Sequence, residues 1–164
     1  MEQRFDVTTV APAGYKAMLG VHSYVQNSGL DLGLVELVRL RVSQINGCAF
    51  CLAMHVPLAR QQGITDDQMH LLVAWREAPV FDAKERAALA WAEALTHLTG
   101  GDVADDVYAQ VCDQFSTDEI AGLSFAVAEI NAWNRLMISS RTPPQIICGA
   151  PPAPTPACPE PVRS

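Results

Sequence analysis

Apolar residues recur along this chain with the spacing of helices. Leu34, Leu37, Val38, Val42 and Ile45 fall on one stripe of a helix, and comparable stripes run through most other segments. No segment alternates apolar and polar residues in a way that would favour a strand over a helix. The pattern therefore predicts an all-α domain of about seven helices.

Start and stop signals divide the apolar pattern into separate helices. Pro12 suits the first turn of one helix, and Gly29, Gly47 and Gly63 are placed to end the first three. A Thr, Asp or Ser followed three residues later by Gln or Glu is typical of a helix start, because both side chains bond to free backbone N–H groups. Three such pairs open later segments: Thr65 with Gln68, Asp82 with Glu85, and Ser116 with Glu119.

The composition changes from Pro143 onward, where the chain reads PPQIICGAPPAPTPACPEPVRS. So many prolines are incompatible with a regular helix. We therefore divide the chain into an all-helical domain, residues 1–142, and an extended Pro/Ala-rich tail, residues 143–164.

Length, charge and hydropathy narrow the class of protein. The chain has 164 residues, of which 49% are hydrophobic, which suits one domain with one core. Its net charge is -7 and its basic residues do not cluster, so a nucleic-acid-binding face is not expected. No apolar run approaches the roughly 20 residues of a membrane helix, and the first residues lack the features of a signal peptide. We therefore expect a cytoplasmic protein without a membrane partner.

The stretch NGCAFCLAMH, residues 46–55, holds the candidate chemistry. On a helix that begins near Gly47, Cys48 and Cys51 lie one turn apart, and His55 lies one turn beyond Cys51. The first turn of a helix favours a thiolate, which is the reactive form of cysteine, and His55 can take the thiol proton. If Gly47 reverses the chain, two antiparallel helices can bring Glu36 beside His55, where a carboxylate would orient the imidazole ring.

Other interpretations of the cysteines stay open at this point. Cys48 and Cys51 can be small buried apolar side chains. They can also form a zinc site with His55 and one further thiol, from Cys112, Cys148 or Cys158. Five cysteines are an odd number, which argues against a secreted disulfide framework. Leu52 follows the second cysteine of the pair, so this is not a haem attachment motif.

Several remaining residues are assigned structural roles from their type and surroundings. We expect Cys112 to be buried and apolar in character, and His22, His70 and His97 to be structural or exposed. Tyr15 and His22 can approach the site from the first predicted helix, although nothing in the sequence requires it. The three tryptophans are expected to anchor the core or a subunit interface, namely Trp75, Trp91 and Trp133.

The order Glu36, Cys48, Cys51 and His55 resembles the AhpD-like alkylhydroperoxidases of the carboxymuconolactone decarboxylase superfamily. The flanking stretches LVELVRLRVSQINGCAFCLAMH, AWREAPVFDAKERAALAWAEALTHL and INAWNRL are also similar to that family. The resemblance covers residues 15–140. It implies an all-helical fold that assembles as a trimer or hexamer, and the reduction of hydrogen peroxide or small organic hydroperoxides without a cofactor or metal.

The resemblance also assigns roles by position. Cys51 would be the peroxidatic thiol and Cys48 the resolving thiol, while Glu36 and His55 would form the proton relay. A dithiol, such as a lipoyl-type donor, would reduce the resulting disulfide.

The chain departs from the family at two places. Ala49 and Phe50 stand where well-known peroxidase members carry a second histidine, and Pro57 is expected to kink the helix after His55. Two alternatives to a peroxidase are a general dithiol–disulfide oxidoreductase and an oligomeric zinc-binding or scaffold protein.

Overall fold

The computed structural model describes residues 2–98 and 100–145 of the chain. Within these ranges the secondary structure is helical, with no strand. The elements are α1 (Val7–Val10), α2 (Pro12–Gln26), α3 (Leu32–Asn46), α4 (Ala49–Gln61), α5 (Asp66–Leu71), a 3₁₀-helix (Leu72–Ala74), α6 (Ala83–Thr96), α7 (Asp105–Cys112) and α8 (Thr117–Ser140). The predicted all-α class is therefore confirmed, and the predicted helices correspond to α2 through α8. One short helix was not predicted: α1 has only four residues, and the side chain of Asp6 caps its start by accepting a hydrogen bond from the backbone N–H of Thr8.

The predicted capping boxes are all present. In each, the first side chain accepts a bond from the backbone N–H three residues later, and the Gln or Glu bonds back to the first residue's N–H. They are Thr65 with Gln68 on α5, Asp82 with Glu85 on α6, and Ser116 with Glu119 on α8. These bonds satisfy N–H groups that would otherwise lack a partner at a helix start.

Helix α3 lies at the centre of the fold and packs against α4, α6 and α8. One side of α3 presents Val35, Val38 and Val42 to the first hydrophobic core, while Leu37 and Leu40 belong to a second core on its other side. The sequence predicted a single apolar stripe that included both Leu37 and Val38. Helix α3 is instead buried over most of its surface. Its charged residues Glu36 and Arg39 are therefore also removed from water.

The turn between α3 and α4 sets the geometry of the candidate site. Gly47 has φ of 70°, the left-handed conformation that favours glycine, and it ends α3. The chain then reverses and α4 packs back against α3. Pro57 lies inside α4, and the helix continues through it to Gln61.

The burial of Trp75, Trp91 and Cys112 tests the structural roles predicted for them. Trp75 and Trp91 are buried in the core, as expected. The expectation for Cys112 is wrong: its side chain is exposed, because the inward position at the end of α7 belongs to its neighbour Val111.

The predicted tail falls largely outside the described residues. Pro143, Pro144 and Gln145 are exposed and lie outside any helix. Cys148 and Cys158 lie outside the described residues, so the division at residue 142 stays a prediction. Among the described helices there is no candidate for a membrane-spanning segment.

Candidate active site

Cys48 and Cys51 lie at the start of α4, where the sequence predicted them. Cys48 is the N-cap of the helix, and its sulfur accepts a hydrogen bond from the backbone N–H of Cys51 at 3.3 Å. Their Cα atoms are 5.4 Å apart and the two side chains are joined as a disulfide. Both residues are buried. A sulfur at this position faces the free N–H groups of the helix, which stabilise a thiolate when the disulfide is reduced.

Glu36 and His55 form a buried pair between α3 and α4. Oε2 of Glu36 lies 2.7 Å from Nδ1 of His55, and the two residues are 4% and 3% exposed. His55 is one helical turn beyond Cys51. The reversal at Gly47 therefore brings the carboxylate of Glu36 to the imidazole of His55, on the helix that also carries Cys51.

Arg39 extends this pair into a longer buried network. Its guanidinium donates to Oε1 of Glu36 at 2.8 Å and to Oε2 of Glu129 on α8 at 2.8 Å. Arg39 is only 1% exposed and Glu129 only 3%. Such a deeply buried cation is stable because it bridges two carboxylates.

His22 on α2 occupies the far end of the network. Its Nδ1 lies 2.8 Å from Oε1 of Glu129 and 3.2 Å from a guanidinium nitrogen of Arg39. Trp133 also donates its indole N–H to the same carboxylate oxygen of Glu129, at 3.2 Å. Two histidine–carboxylate pairs, one on each side of Arg39, thus belong to one hydrogen-bonded system.

The two carboxylates of the network are held ionised. Burial by itself raises the pKa of Glu36, but the hydrogen bond and charge of His55 and the charge of Arg39 outweigh it, so the pKa lies below its ordinary value. The pKa of Glu129 is lowered in the same way, with burial opposed by His22 and Arg39. Each glutamate therefore acts as an acceptor of hydrogen bonds at neutral pH.

The two cysteines line different cavities. Cys51 lines an apolar cavity of about 260 Å³ together with Tyr15, His22, Phe50 and Trp133. Cys48 instead lines a cleft of about 490 Å³, whose wall includes Arg4 and Arg141. A small organic molecule can therefore approach Cys51 from one side, while Cys48 is reached from another.

The structure brings together all four residues selected from the sequence: Glu36, Cys48, Cys51 and His55. Three further residues belong to the network: His22, whose approach to the site the sequence left open, and Arg39 and Glu129. His22 was expected to be structural or exposed, with an approach to the site left open; its side chain is 39% exposed and lines the cavity of Cys51, as does that of Tyr15. A signal did exist: Glu129 interrupts the apolar run FAVAEINAW, and Arg39 shares a helical face with Glu36.

A zinc site was one interpretation of the cysteines. Across residues 2–98 and 100–145, no three or more His, Cys, Asp or Glu side chains are grouped so that they could hold a metal ion. The two tail thiols considered for that site lie outside these ranges.

The sequence matches the family model described as the carboxymuconolactone decarboxylase family over residues 12–94. It is also similar to the uncharacterized protein YdfG of Bacillus subtilis (strain 168). The two are 35% identical over 139 residues, which are 85% of this chain and 95% of YdfG.

Two solved structures have a similar fold. One is a protein of unknown function from Agrobacterium tumefaciens, for which the identity of an antioxidant defence protein AhpD has been suggested. It is 36% identical with a TM-score of 0.85, over 88% of this chain and 99% of that one. The second is an uncharacterized peroxidase-related protein with an alkylhydroperoxidase AhpD core from Ralstonia eutropha JMP134. It is 20% identical with a TM-score of 0.74, over 85% and 74% of the two chains, and shows likeness of fold.

Proposed function

This chain belongs to the carboxymuconolactone decarboxylase family as an AhpD-like member, and on that premise we propose that it is a thiol-dependent peroxidase. Its substrates would be hydrogen peroxide or small organic hydroperoxides. The observation that carries the proposal is the convergence of two pairs. The Cys48–Cys51 pair lies at the start of α4, and the buried Glu36–His55 pair meets it one helical turn later.

In the first step Cys51 would act as the nucleophile. His55 takes the thiol proton of Cys51, and Glu36 stabilises the imidazolium that forms, since its carboxylate lies 2.7 Å from Nδ1. The thiolate sulfur attacks the peroxide, so that an S–O bond forms and the O–O bond breaks. Cys51 is oxidised to a sulfenic acid, and the peroxide is reduced to an alcohol, or to water.

In the second step Cys48 would resolve the sulfenic acid. Its sulfur attacks that of Cys51, a disulfide forms, and the hydroxyl group leaves as water. The structure holds the two sulfurs paired, with Cα atoms 5.4 Å apart, so closure needs no large movement of α4. A dithiol donor, such as a lipoyl-type compound, then reduces the disulfide and returns both thiols.

The apolar cavity supports the assignment of Cys51 as the peroxidatic residue. An organic hydroperoxide carries an apolar group, and the cavity walls around Cys51 are formed by residues such as Phe50, Met54 and Trp133. A volume of about 260 Å³ suits a small organic substrate rather than a macromolecule.

A second candidate function is general dithiol–disulfide exchange without marked peroxide activity. The observation that favours it is the position of Cys48 at the N-cap, where its sulfur accepts a backbone N–H and lines an open cleft. In that case Cys48 would be the attacking thiol on a disulfide substrate.

The proposal includes assembly of the chain with copies of itself, as a trimer or hexamer, in the cytoplasm. Apolar side chains left partly exposed on α2 and α8 support self-association: the rings of Tyr24 and Phe125 meet edge to face with centroids 4.9 Å apart, and each residue is nearly half exposed. Light scattering on wild type and Phe125→Glu tests this part, because a charge in a subunit contact would shift the mass toward the monomer.

A steady-state assay tests the enzymatic proposal. The protein is supplied with tert-butyl hydroperoxide and dihydrolipoamide, and the consumption of each is followed for wild type, Cys51→Ser and Cys112→Ser. We expect turnover in wild type and Cys112→Ser, whose thiol is exposed on α7, and none in Cys51→Ser. A parallel assay replaces the peroxide with a disulfide substrate; reduction of that disulfide by wild type, without consumption of peroxide in the first assay, would favour the second candidate instead.

A further inference from the structure

His22 reaches a part of the site that His55 does not. The side chain of His22 is 39% exposed and lines the cavity into which Cys51 opens. His55 is 3% exposed and is not among the residues that line that cavity. A molecule in the cavity therefore meets Cys51 and His22, while His55 lies buried one helical turn beyond Cys51 on α4.

The imidazole of His22 is oriented by groups on two other helices. Nδ1 lies 2.8 Å from Glu129 on α8 and 3.2 Å from Arg39 on α3. The Nδ1 edge of the ring is thereby occupied. Nε2 makes no hydrogen bond to any group in the described part of the chain, which leaves it available to a molecule in the cavity.

The charges of the buried network leave room for a proton on His22. Glu36 and Glu129 carry two negative charges and Arg39 carries one positive charge, so one imidazolium balances the set. When Cys51 passes its proton to His55, the thiolate and the second imidazolium balance each other. With both histidines protonated, the formal charges of the two imidazoliums, the two carboxylates, the guanidinium and the Cys51 thiolate therefore sum to zero. The further acidic group at the cavity wall, Asp6, is engaged with Thr8.

We propose that His22 is a second catalytic acid of the site, which protonates the oxygen that leaves when Cys51 attacks a hydroperoxide. The S–O bond forms as the O–O bond breaks, and the departing alkoxide takes the Nε2 proton of His22 to become an alcohol. The neutral ring then keeps its Nδ1–H on Glu129. His55 and His22 thus divide the work, one as base toward the thiol and the other as acid toward the leaving group. This inference rests on the peroxidase function proposed above.

Glu129 has a positioning role in this scheme. Its carboxylate holds Nδ1 of His22 and is itself fixed by Arg39 and the indole of Trp133. A carboxylate at that position fixes the orientation of the ring and keeps the remaining proton on Nδ1 after the transfer. Glu129→Gln should therefore show the same dependence on the leaving group as a change at His22, in weaker form.

Two oxidants with different leaving groups directly test the role of His22 as a catalytic acid. Fully reduced wild type, His22→Asn and the exposed control His70→Gln are mixed with tert-butyl hydroperoxide or with peroxybenzoic acid, and free thiols are counted by rapid quench in a single turnover. The first substrate expels a strongly basic alkoxide, while the second expels a carboxylate that needs no proton. Asparagine keeps a donor toward Glu129 but cannot supply an acidic proton.

We expect His22→Asn to lose about 100-fold or more with tert-butyl hydroperoxide, the range of general acid catalysis, and to stay near wild type with peroxybenzoic acid. The peroxybenzoic acid rate also shows that the variant is folded with a competent Cys51. Equal slowing with both substrates, or no slowing with either, overturns the role of His22 while leaving the peroxidase function intact. If wild type reacts with neither oxidant, the peroxidase function fails and the role of His22 fails with it.

Discussion

Oε2 of Glu36 lies 2.7 Å from Nδ1 of His55, although the two residues are nineteen positions apart and belong to different helices. The contact exists because Gly47 ends α3 in the left-handed conformation and α4 packs back along it. Both side chains are buried, so the pair acts away from water. In the proposed mechanism the pair accepts the proton of Cys51, one turn earlier on α4, and stabilises the resulting cation.

Removing the charge of Glu36 should impair the reaction of Cys51. In Glu36→Gln the imidazolium of His55 loses its carboxylate partner, so the thiolate forms less readily. We expect the single-turnover rate with tert-butyl hydroperoxide to fall about 100-fold, the lower end of the range for acid–base groups. The exposed residue Glu77 supplies the control, since Glu77→Gln should react like wild type. A rate unchanged in Glu36→Gln would contradict the proton relay.

Glu36 also makes stability depend on pH in a defined direction. Its pKa is lower in the folded protein than in the unfolded chain, because His55 and Arg39 outweigh the opposing effect of burial. The stabilisation it provides is therefore fully present above the unfolded pKa, about 4.3, and is lost as the pH falls through the folded pKa. Urea unfolding of wild type and Glu36→Gln from pH 7 to pH 3 should show a difference in the free energy of unfolding that shrinks on acidification. A difference that grew toward low pH would contradict the direction of the shift.

Arg39 should be one of the most sensitive positions in the fold. Arg39→Met leaves the carboxylates of Glu36 and Glu129 buried without their shared cation. Removing one partner of a buried ion pair lowers the free energy of unfolding by about 3–5 kcal/mol. The matched control is Arg60→Met, whose ion pair with Asp66 is more than half exposed and should contribute about 0–1 kcal/mol. Chemical denaturation of both variants measures the two values. Equal losses at the two positions would show that the buried network does not contribute as described.

The capping box at the start of α8 should contribute a modest and local share of stability. Ser116→Ala removes the acceptor for the N–H of Glu119, and loss of such a cap costs about 1 kcal/mol. The exposed residue Ser139 lies inside the same helix and serves as the comparison. Thermal unfolding should therefore show a lower melting temperature for Ser116→Ala than for Ser139→Ala, and the reverse order would argue against the cap.

The sequence was most informative where local rules act. Each capping box could be predicted because it depends on two residues three positions apart, and the turn at Gly47 could be predicted because glycine favours the conformation that ends α3. The contact of Glu36 with His55 followed from that turn together with the spacing of Cys51 and His55. These features require no knowledge of which helices pack at a distance.

The contact between His22 and Glu129 could not be predicted, because it depends on long-range packing. His22 and Glu129 are 107 positions apart, and their contact requires α2 and α8 to pack against each other. The periodicity of each helix shows which face is apolar, but it does not show which partner that face meets. Cys112 was misassigned for a related reason, since the short α7 turns Val111 inward and its neighbour outward.

The most direct test of the peroxidase proposal is a stoichiometric reaction followed by thiol mapping. Wild type, Cys51→Ser and Cys48→Ser are fully reduced, mixed with one equivalent of tert-butyl hydroperoxide, and analysed by mass spectrometry after alkylation. We expect a Cys48–Cys51 disulfide in wild type, a sulfenic acid on Cys51 in Cys48→Ser, and unreacted peroxide with Cys51→Ser. If Cys48 and Cys51 of wild type stay reduced while the peroxide remains, the protein is not a peroxidase of this kind.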